Sequence, residues 1–443
     1  MDSSQKSSLT DKLKALGLKA GAADIPTKKR KNGATIQDVL DGHFIFTRRG
    51  EVFVHEETYE ADYRHGWAPL ETVAPLNRMA AWAKDARLLE MPLEAFAFLD
   101  TETSGLAGGT GTYAFLVGVG RFEASASGLD FHLLQFFMRD PGEEPALLEA
   151  LADFLAPCEA LVTYNGKAFD APLLTTRYTL HDIPVPFEDY AHVDLLHLAR
   201  RLWRDRLSSR TLKYIEENVL DALRTSEEVP SYEIPRLYFD YLRSGDASEM
   251  KGVFYHNAMD VVALAALFSH TAAILHDPFD GRIQHGLDFI ALAKLFEDLG
   301  HWDEAARLYE RGLESGPMTP MRREAGLEQA LTEADFGAAV KQLSILQKRR
   351  GDIDQAVQLW MEAVENGHIY AHAELAKHYE HRKQDYMEAK KWAQAALEIV
   401  NTDGDMPGYM RAHWQAELEH RLKRLEGKLK SEPAKRKSTY NLR

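Results

Sequence analysis

A single cysteine, Cys158, stands among 443 residues. That excludes an intramolecular disulfide and a zinc site built on clustered cysteines, and it predicts a reducing, cytoplasmic setting. Long apolar runs are missing too. The longest within a helical pattern, Val261 to Phe268, is far short of a membrane span, so no membrane partner is expected. The opening residues, Met1-Asp2-Ser3-Ser4-Gln5-Lys6, lack the apolar core of a secretory signal. Basic charge is scarce: 53 Lys and Arg stand against 68 Asp and Glu, a net charge of −15. A nucleic-acid binder usually carries the opposite sign on its binding face.

The charge is unevenly spread. Residues 1–35 carry +5 and residues 421–443 carry +7, which leaves −27 on the body between them. The plain expectation is that both ends are solvated and disordered. The sharper one is that they hold nucleic acid beside an acidic site. With 45% hydrophobic and 27% charged residues, the body is that of an ordinary globular chain, long enough for two or three domains.

Four segments are expected. Residues 1–35, rich in Lys, Ser, Ala and Gly, form a basic disordered arm with a short helix over Leu9 to Leu18. Residues 36–280 form an α/β domain, whose N-terminal extension over 36–94 holds strands at Phe44–Phe46 and Val52–Val54 and a helical stretch from Arg78 to Leu89. Residues 286–420 are helical, and residues 421–443 are a basic tail. In the α/β domain, strands Ala95–Leu99, Ala114–Phe122 and Leu129–Phe137 alternate with short turns and predict an antiparallel meander. A helix over Glu144–Leu155, a strand over Leu161–Tyr164, a helix from about Ala168 and a strand over His192–Asp194 follow. The order βββαβαβα predicts a mixed sheet with flanking helices.

The helical segment repeats itself. Gly300-His301-Trp302-Asp303-Glu304-Ala305 is followed by Tyr309, Gly312 and Pro317. Gly351-Asp352-Ile353-Asp354-Gln355-Ala356 is followed by Trp360 and Ala363, and Tyr386-Met387-Glu388-Ala389 by Ala393 and Ala396. The pattern resembles tetratricopeptide units, which stack paired helices through small residues. A generic helical bundle is the plainer alternative. Trp302, Trp360 and Trp392 are expected in its core, and His378 and His381 on its exposed faces.

Chemistry concentrates in three places. Leu99-Asp100-Thr101-Glu102-Thr103-Ser104-Gly105 ends the first strand of the meander. Strand side chains alternate, so Asp100 and Glu102 project together while Thr101 points away. Two such carboxylates repel unless a cation lies between them, and their oxygens suit Mg²⁺ or Mn²⁺. Thr163-Tyr164-Asn165-Gly166-Lys167-Ala168-Phe169-Asp170 is a strand, a turn and a helix start. There Asp170 could serve the helix dipole alone and Asn165 the turn alone. Tyr255-His256-Asn257-Ala258-Met259-Asp260 opens an apolar helix and sets His256 and Asp260 on one face. Asp194 reads as a helix N-cap, with tuning of the site as the alternative.

These motifs resemble the DEDD exonucleases of the ribonuclease-H-like superfamily. The stretch from Phe98 to Arg177 is similar to the YprB-type family. The likeness rests on Asp100 to Leu106 running into Gly108-Gly109-Thr110-Gly111-Thr112-Tyr113-Ala114-Phe115-Leu116, on Gln135-Phe136-Phe137, and on Val162 to Asp170. It covers roughly residues 40–275. The glycine-rich run lacks the ending of a phosphate loop and is read as a close-packed turn between strands.

The resemblance implies a ribonuclease-H-like mixed sheet followed by tetratricopeptide-like repeats. It implies a 3′→5′ exonuclease-type hydrolysis of DNA or RNA by two ions, Mg²⁺ or Mn²⁺, about 4 Å apart, and a nucleoside 5′-monophosphate as product. The implied metal ligands are Asp100, Glu102, Asp170 and Asp260, and the expected partner is a single-stranded end, with a protein partner for the repeats. In that group the proton acceptor precedes the last acid as Tyr-x3-Asp or His-x4-Asp. Here the types are exchanged, His256-x3-Asp260 and Tyr255-x4-Asp260. Helical geometry favours His256 as the base, with Tyr255 the alternative if the helix starts after Asn257. Two other classes stay open: a nucleic-acid-binding module that does not cleave, and a scaffold whose function lies in the repeats.

The charged ends give a test. Deleting residues 1–35 or 421–443 should weaken single-strand binding and flatten its salt dependence. Affinities that stay unchanged across a salt series would count against the sharper reading of the tips.

Overall fold

The computed structural model describes residues 33–105, 111–126, 128–314 and 332–440, the last nine by backbone alone. The expected helix over Leu9–Leu18, nearly all of the basic arm, most of the glycine-rich turn and Pro317 lie outside the described residues.

Seven strands form one mixed sheet in the order β1-β2-β7-β6-β5-β8-β9. Its middle is the expected meander: β5 (Phe96–Thr103), β6 (Ala114–Ala124) and β7 (Leu129–Phe137), paired antiparallel. The hairpin of β1 (His43–Thr47) and β2 (Gly50–Tyr59) adds to one side, with β2 antiparallel to β7. On the other side β8 (Ala160–Thr163) and β9 (Ala191–Asp194) run parallel to β5. A two-stranded ribbon, β3 (Arg64–His65) and β4 (Ala68–Pro69), stands apart.

The helices of this part are α1 (Ile36–Val39), α2 (Asn77–Ala83), α3 (Glu144–Leu155), α4 (Asp170–Leu180), α5 (Leu195–Trp203), α6 (Leu212–Val219), α7 (Ile234–Ser244) and α8 (Met250–His276). Strand alternation divides the core in two. Phe96 and Phe98 of β5 pack with Phe122, Phe131 and the apolar side of α8. Ala97 and Leu99 face the other way, into a core with Leu147, Leu148 and Leu151 of α3.

Helix α8 is longer than the sequence pattern predicts. It begins at Met250, almost three turns before Asp260, because its first turns interleave polar residues with buried Val253 and Phe254. Its 27 residues are long and apolar enough for a membrane span by length and composition, yet 89% of the most apolar window is buried inside the protein. It is the central helix of the fold, and it carries two of the candidate site residues.

After Gly286 the described chain is helical: α9 (Gly286–Asp298), α10 (Trp302–Leu313), α11 (Glu333–Arg350), α12 (Ile353–Glu365), α13 (Ile369–His378), α14 (Tyr386–Thr402) and α15 (Gly408–Tyr440). Neighbouring helices pack in succession. Ala305, Ala356 and Ala389 are fully buried at these contacts. Gly312 approaches α9 so closely that a Cβ there would lie 2.9 Å from the Gly286 carbonyl oxygen.

Three expectations for this region are corrected. Trp302 is 46% exposed, whereas Trp360 is buried as expected; Trp302 opens α10, where its ring lies over solvent. His378 is buried, against the rings of Trp360 and Tyr379. The C-terminal tail is not a disordered end over its described part. Residues 421–440 continue α15, and Arg421, Arg424 and Lys428 converge on the fully buried Glu380 at 2.8, 2.7 and 3.0 Å. Three of the tail's nine Lys and Arg residues therefore neutralise the protein itself. Removing one partner of a buried ion pair strands the other. Glu380→Ala is expected to cost about 3 kcal/mol, read as a fall of several degrees in melting temperature. A change at Lys430, which is mostly solvated, should cost little.

Candidate active site

The register of β5 places the acids. Asp100 and Glu102 continue the face of Phe96 and Phe98, and so turn toward α8. Thr101 continues the face of Leu99 and meets the start of α4, where its hydroxyl donates to Asp170 Oδ1 at 2.5 Å. Opposite Asp100 on β6 stands Gly118. A side chain there would collide with Asn257 of α8, so the glycine lets the helix come close. Asn257 donates from Nδ2 to Asp100 Oδ2 at 2.9 Å. Its own oxygen accepts from Gln135 Nε2 at 2.9 Å, and Gln135 also donates to the Phe254 carbonyl at 2.8 Å. Asp100 is thus held by a buried chain of amides running across the sheet.

His256 and Asp260 lie on the same side of α8. His256 Nε2 is 3.5 Å from Asp260 Oδ2 and 3.8 Å from Glu102 Oε1. Glu102, His256 and Asp260 each offer a ligand atom, and these three atoms lie within 4.8 Å of one another. Asp100 and Asp170 stand outside this trio. They belong to the same electrostatic cluster, because Asp170 adds to the repulsion on both Glu102 and Asp100, and Asp100 also feels Glu102 and Asp260. Glu102 and Asp260 keep 12% and 17% side-chain exposure, so the cluster reaches solvent.

Crowded acids resist ionising together. Burial, then the charges of Asp260, Glu102 and Asp170, raise Asp100 well above the ordinary carboxylate range. Burial pushes Glu102 up to about 8, although His256 and Arg224 oppose it. Burial lifts Asp170 to about 6 against the Thr101 hydrogen bond. Burial works against charge on His256, but the Glu228 hydrogen bond and the charges of Asp260 and Glu102 outweigh it, and the imidazole is held above its usual value.

Sequence reasoning missed the cations and their supports. Arg224, from the loop after α6, has a side chain only 1% exposed and pairs with Asp260. It also meets Glu216 at 2.7 Å and Glu228 at 3.2 Å. Glu216 in turn bonds His65 Nε2 at 2.7 Å. Glu228 receives His256 Nδ1 at 3.0 Å, which turns Nε2 toward Glu102 and Asp260. Tyr255 is used elsewhere: its hydroxyl accepts from the Thr225 N–H at 2.8 Å and pins the Arg224 loop. No local motif marks Arg224 or Glu228; only the tertiary fold brings them to α8. Asp194 caps α5, accepting from Leu196 N at 3.1 Å. It also accepts from the N–H groups of Asn165 and Lys167, which holds Asn165 in its left-handed conformation, φ 69°, in the turn before Asp170.

The chain matches the family model described as RNase_H superfamily over residues 97–272. It is 30% identical over 410 residues to "Uncharacterized protein YprB" of Bacillus subtilis (strain 168), a match spanning 89% of this chain and 93% of that protein. A solved structure of the family B DNA polymerase from Pyrobaculum calidifontis aligns with 71% of this chain at 13% identity and a TM-score of 0.32. The chain spans 48% of that polymerase, and so slight a likeness carries no argument.

The charge state of the cluster predicts a pH dependence. A carboxyl whose folded value lies above its unfolded one binds its proton more tightly when folded. The stability it contributes is present at low pH and lost as pH rises through the folded value. Without metal, melting temperature should therefore fall as pH rises from about 5 to about 8 on account of Asp170, Glu102 and Asp100. Mn²⁺ should raise it, more at about pH 8 than at about pH 6, because binding displaces those protons. An Mn²⁺ effect independent of pH, or one kept in full by Asp260→Asn, would contradict this reading of the cluster.

Proposed function

The chain belongs to the YprB-type family of ribonuclease-H-like proteins, and on that premise we propose that it is a metal-dependent phosphodiester hydrolase, a nuclease of the 3′→5′ exonuclease type. The observation that carries the proposal is the convergence of Asp100 and Glu102, from the end of β5, on His256 and Asp260 of α8, with Asp170 adding its charge. Such an arrangement is unfavourable unless cations meet it. Its donors, carboxylate oxygens and one imidazole, fit Mg²⁺ or better Mn²⁺.

In this reading Asp100, Glu102, Asp170 and Asp260 would hold the ions. Bound there, the ions supply Lewis-acid stabilisation of the phosphate charge and make water a better nucleophile. The protein's own residues do the rest. Asn257 and Thr101 fix the aim of Asp100 and Asp170 through their hydrogen bonds. Glu228 fixes the ring of His256, whose Nε2 is the atom available to take a proton from attacking water. In the metal-free cluster the Glu228 hydrogen bond and the charges of Asp260 and Glu102 raise the proton affinity of the imidazole against its burial. Cations held by Asp100, Glu102, Asp170 and Asp260 would offset that influence, and His256 would then be free to act as a base. Helix α8 begins at Met250, so Tyr255 and His256 both sit on regular helix, and the geometry that favours His256 applies.

The finer features belong to the same proposal. The helical hairpins after Gly286 are read as tetratricopeptide-like, supported by the buried alanines at their contacts, and as a surface for a protein partner or for more of the substrate. Residues 36–280 and 286–420 are read as the two folded domains, acting in the cytoplasm. A second reading, a nucleic-acid-binding module without cleavage, is favoured by one observation: Arg224 already gives Asp260 a cation.

A labelled single strand with Mn²⁺ decides between them. The nuclease should release mononucleotides. Asp100→Asn and Asp260→Asn should abolish this while preserving the fold. His256→Ala should lower turnover roughly a hundredfold, and Tyr255→Phe should do much less. Retained Mn²⁺ affinity in His256→Ala marks the histidine as a base, and lost affinity marks it as a ligand. Binding without any cleavage would establish the second reading.

A further inference from the structure

The helical region contains a basic cavity that the proposed hydrolysis does not use. It measures about 380 Å³, and its walls include Trp360 of α12, His378 of α13, and Arg421 and Arg424 of α15. Three buried atoms in those walls have no hydrogen-bond partner: Trp360 Nε1, His378 Nδ1 and Arg421 Nε. The three residues are only 2%, 7% and 7% exposed. A buried donor left unmet is costly, and native structures seldom leave one without a reason. Indole and guanidinium N–H groups only donate, so the complement of this cavity is an acceptor.

Its charge says which kind. Lys348, Lys377, Arg382, Arg421 and Arg424 line it, against a single carboxylate, Glu374. Lys348 and Lys377 share Glu374 at 2.6 and 2.9 Å. Behind the wall, Glu380 serves Arg421, Arg424 and Lys428 together, and Glu417 stands 3.4 Å from Lys377 and 3.6 Å from Arg421. Arg382 makes no ion pair among the described residues. Positive charge is therefore in excess here, in a chain whose net charge is −15. The backbone is also unusual. A single π-helical turn, Tyr379–Lys383, follows α13 and ends at Gln384 in the left-handed region, φ 56°. It brings Glu380 inward and His381 and Arg382 to the cavity. Such turns are concentrated at functional sites.

We propose that this cavity is an oxyanion site that takes a phosphate group, with Arg382, Arg421 and the Trp360 N–H as donors. Cations from α11, α13, the π turn and α15 approach from several directions, which suits a tetrahedral phosphate better than a planar carboxylate. The phosphate could be free or belong to a nucleic-acid strand. Neither source needs a divalent ion, and the proposal does not rest on the nuclease reading.

Calorimetry on the full chain in a chelator tests it, with inorganic phosphate, a 5′-mononucleotide and a single-stranded oligonucleotide as probes. At least one should bind, more weakly as salt rises. Arg382→Gln should weaken that binding about tenfold, the usual worth of a charged hydrogen bond. Trp360→Phe, which keeps the ring and removes the N–H, should weaken it severalfold. Arg382 is exposed, so its variant should melt like the wild type. In Asp100→Asn, inactive under the nuclease reading, Arg382→Gln should weaken the binding by the same factor as in the wild type. Binding of the small probes marks free phosphate as the ligand, and binding of the oligonucleotide alone marks the strand. Absence of binding by all three, or binding indifferent to both substitutions, would overturn the proposal.

Discussion

Carboxylates brought together in a poorly solvated cleft are the constraint on which this structure turns. The alternation of β5 sends Asp100 and Glu102 to the side already committed to Phe96 and Phe98, and that side is covered by α8. A core strand that ends in two acids must meet positive charge there, or the sheet would lose stability at its centre. Arg224 and His256 supply it within the protein. Both are held by further acids, Glu216 and Glu228, and the latter is drawn down to about 2: burial opposes this, but the His256 hydrogen bond and the Arg224 charge outweigh it. The result is a network of alternating charge rather than a simple pool of negative charge. A cation from solution enters it by replacing protons and loosening existing pairs, so metal affinity and the stability of the fold are coupled quantities here.

Rigidity around the cluster comes from a buried chain of amide hydrogen bonds, in which Gln135 Oε1 alone is left without a partner. Gly118 makes room, Asn257 fills it, and Gln135 closes the chain back to the backbone of α8. Any larger residue at 118 would push α8 away from β6 and move His256 and Asp260 with it. The Thr101–Asp170 contact does the same work on the opposite face, so the acids are positioned from both sides of one strand.

Much of this was legible in the sequence because it is local. The meander, the helix over Glu144–Leu155 and the paired projection of Asp100 and Glu102 follow from two-residue and 3.6-residue periodicity, and the structure has them where those periods put them. The start of α8 was not legible. Met250–Met259 mixes Lys251, His256 and Asn257 with apolar residues, because that part of the helix faces the site and the sheet at once. Arg224 and Glu228 were invisible for a different reason: they lie in a loop with no period, and their role depends on contacts more than thirty residues away in the chain for Arg224 and twenty-eight for Glu228. Helical spacing alone cannot reveal that His378 packs against Trp360 of α12.

The packing of α15 against the π turn explains the charge pattern of the C-terminal end. Arg421, Arg424 and Lys428 recur at three- and four-residue spacing, which sets them on one face of α15. That face meets Glu380, a residue carried inward by the π turn. A charge run with helical spacing opposite a lone buried acid is a packing device, and only the surplus beyond that acid is left for a ligand. Charge counted by segment therefore overstates what the end offers to nucleic acid. What distinguishes a binding cation from a structural one is whether the fold already provides its counter-ion. By that measure Arg421, Arg424 and Lys428 have their counter-ion in Glu380, and Arg382 has none among the described residues.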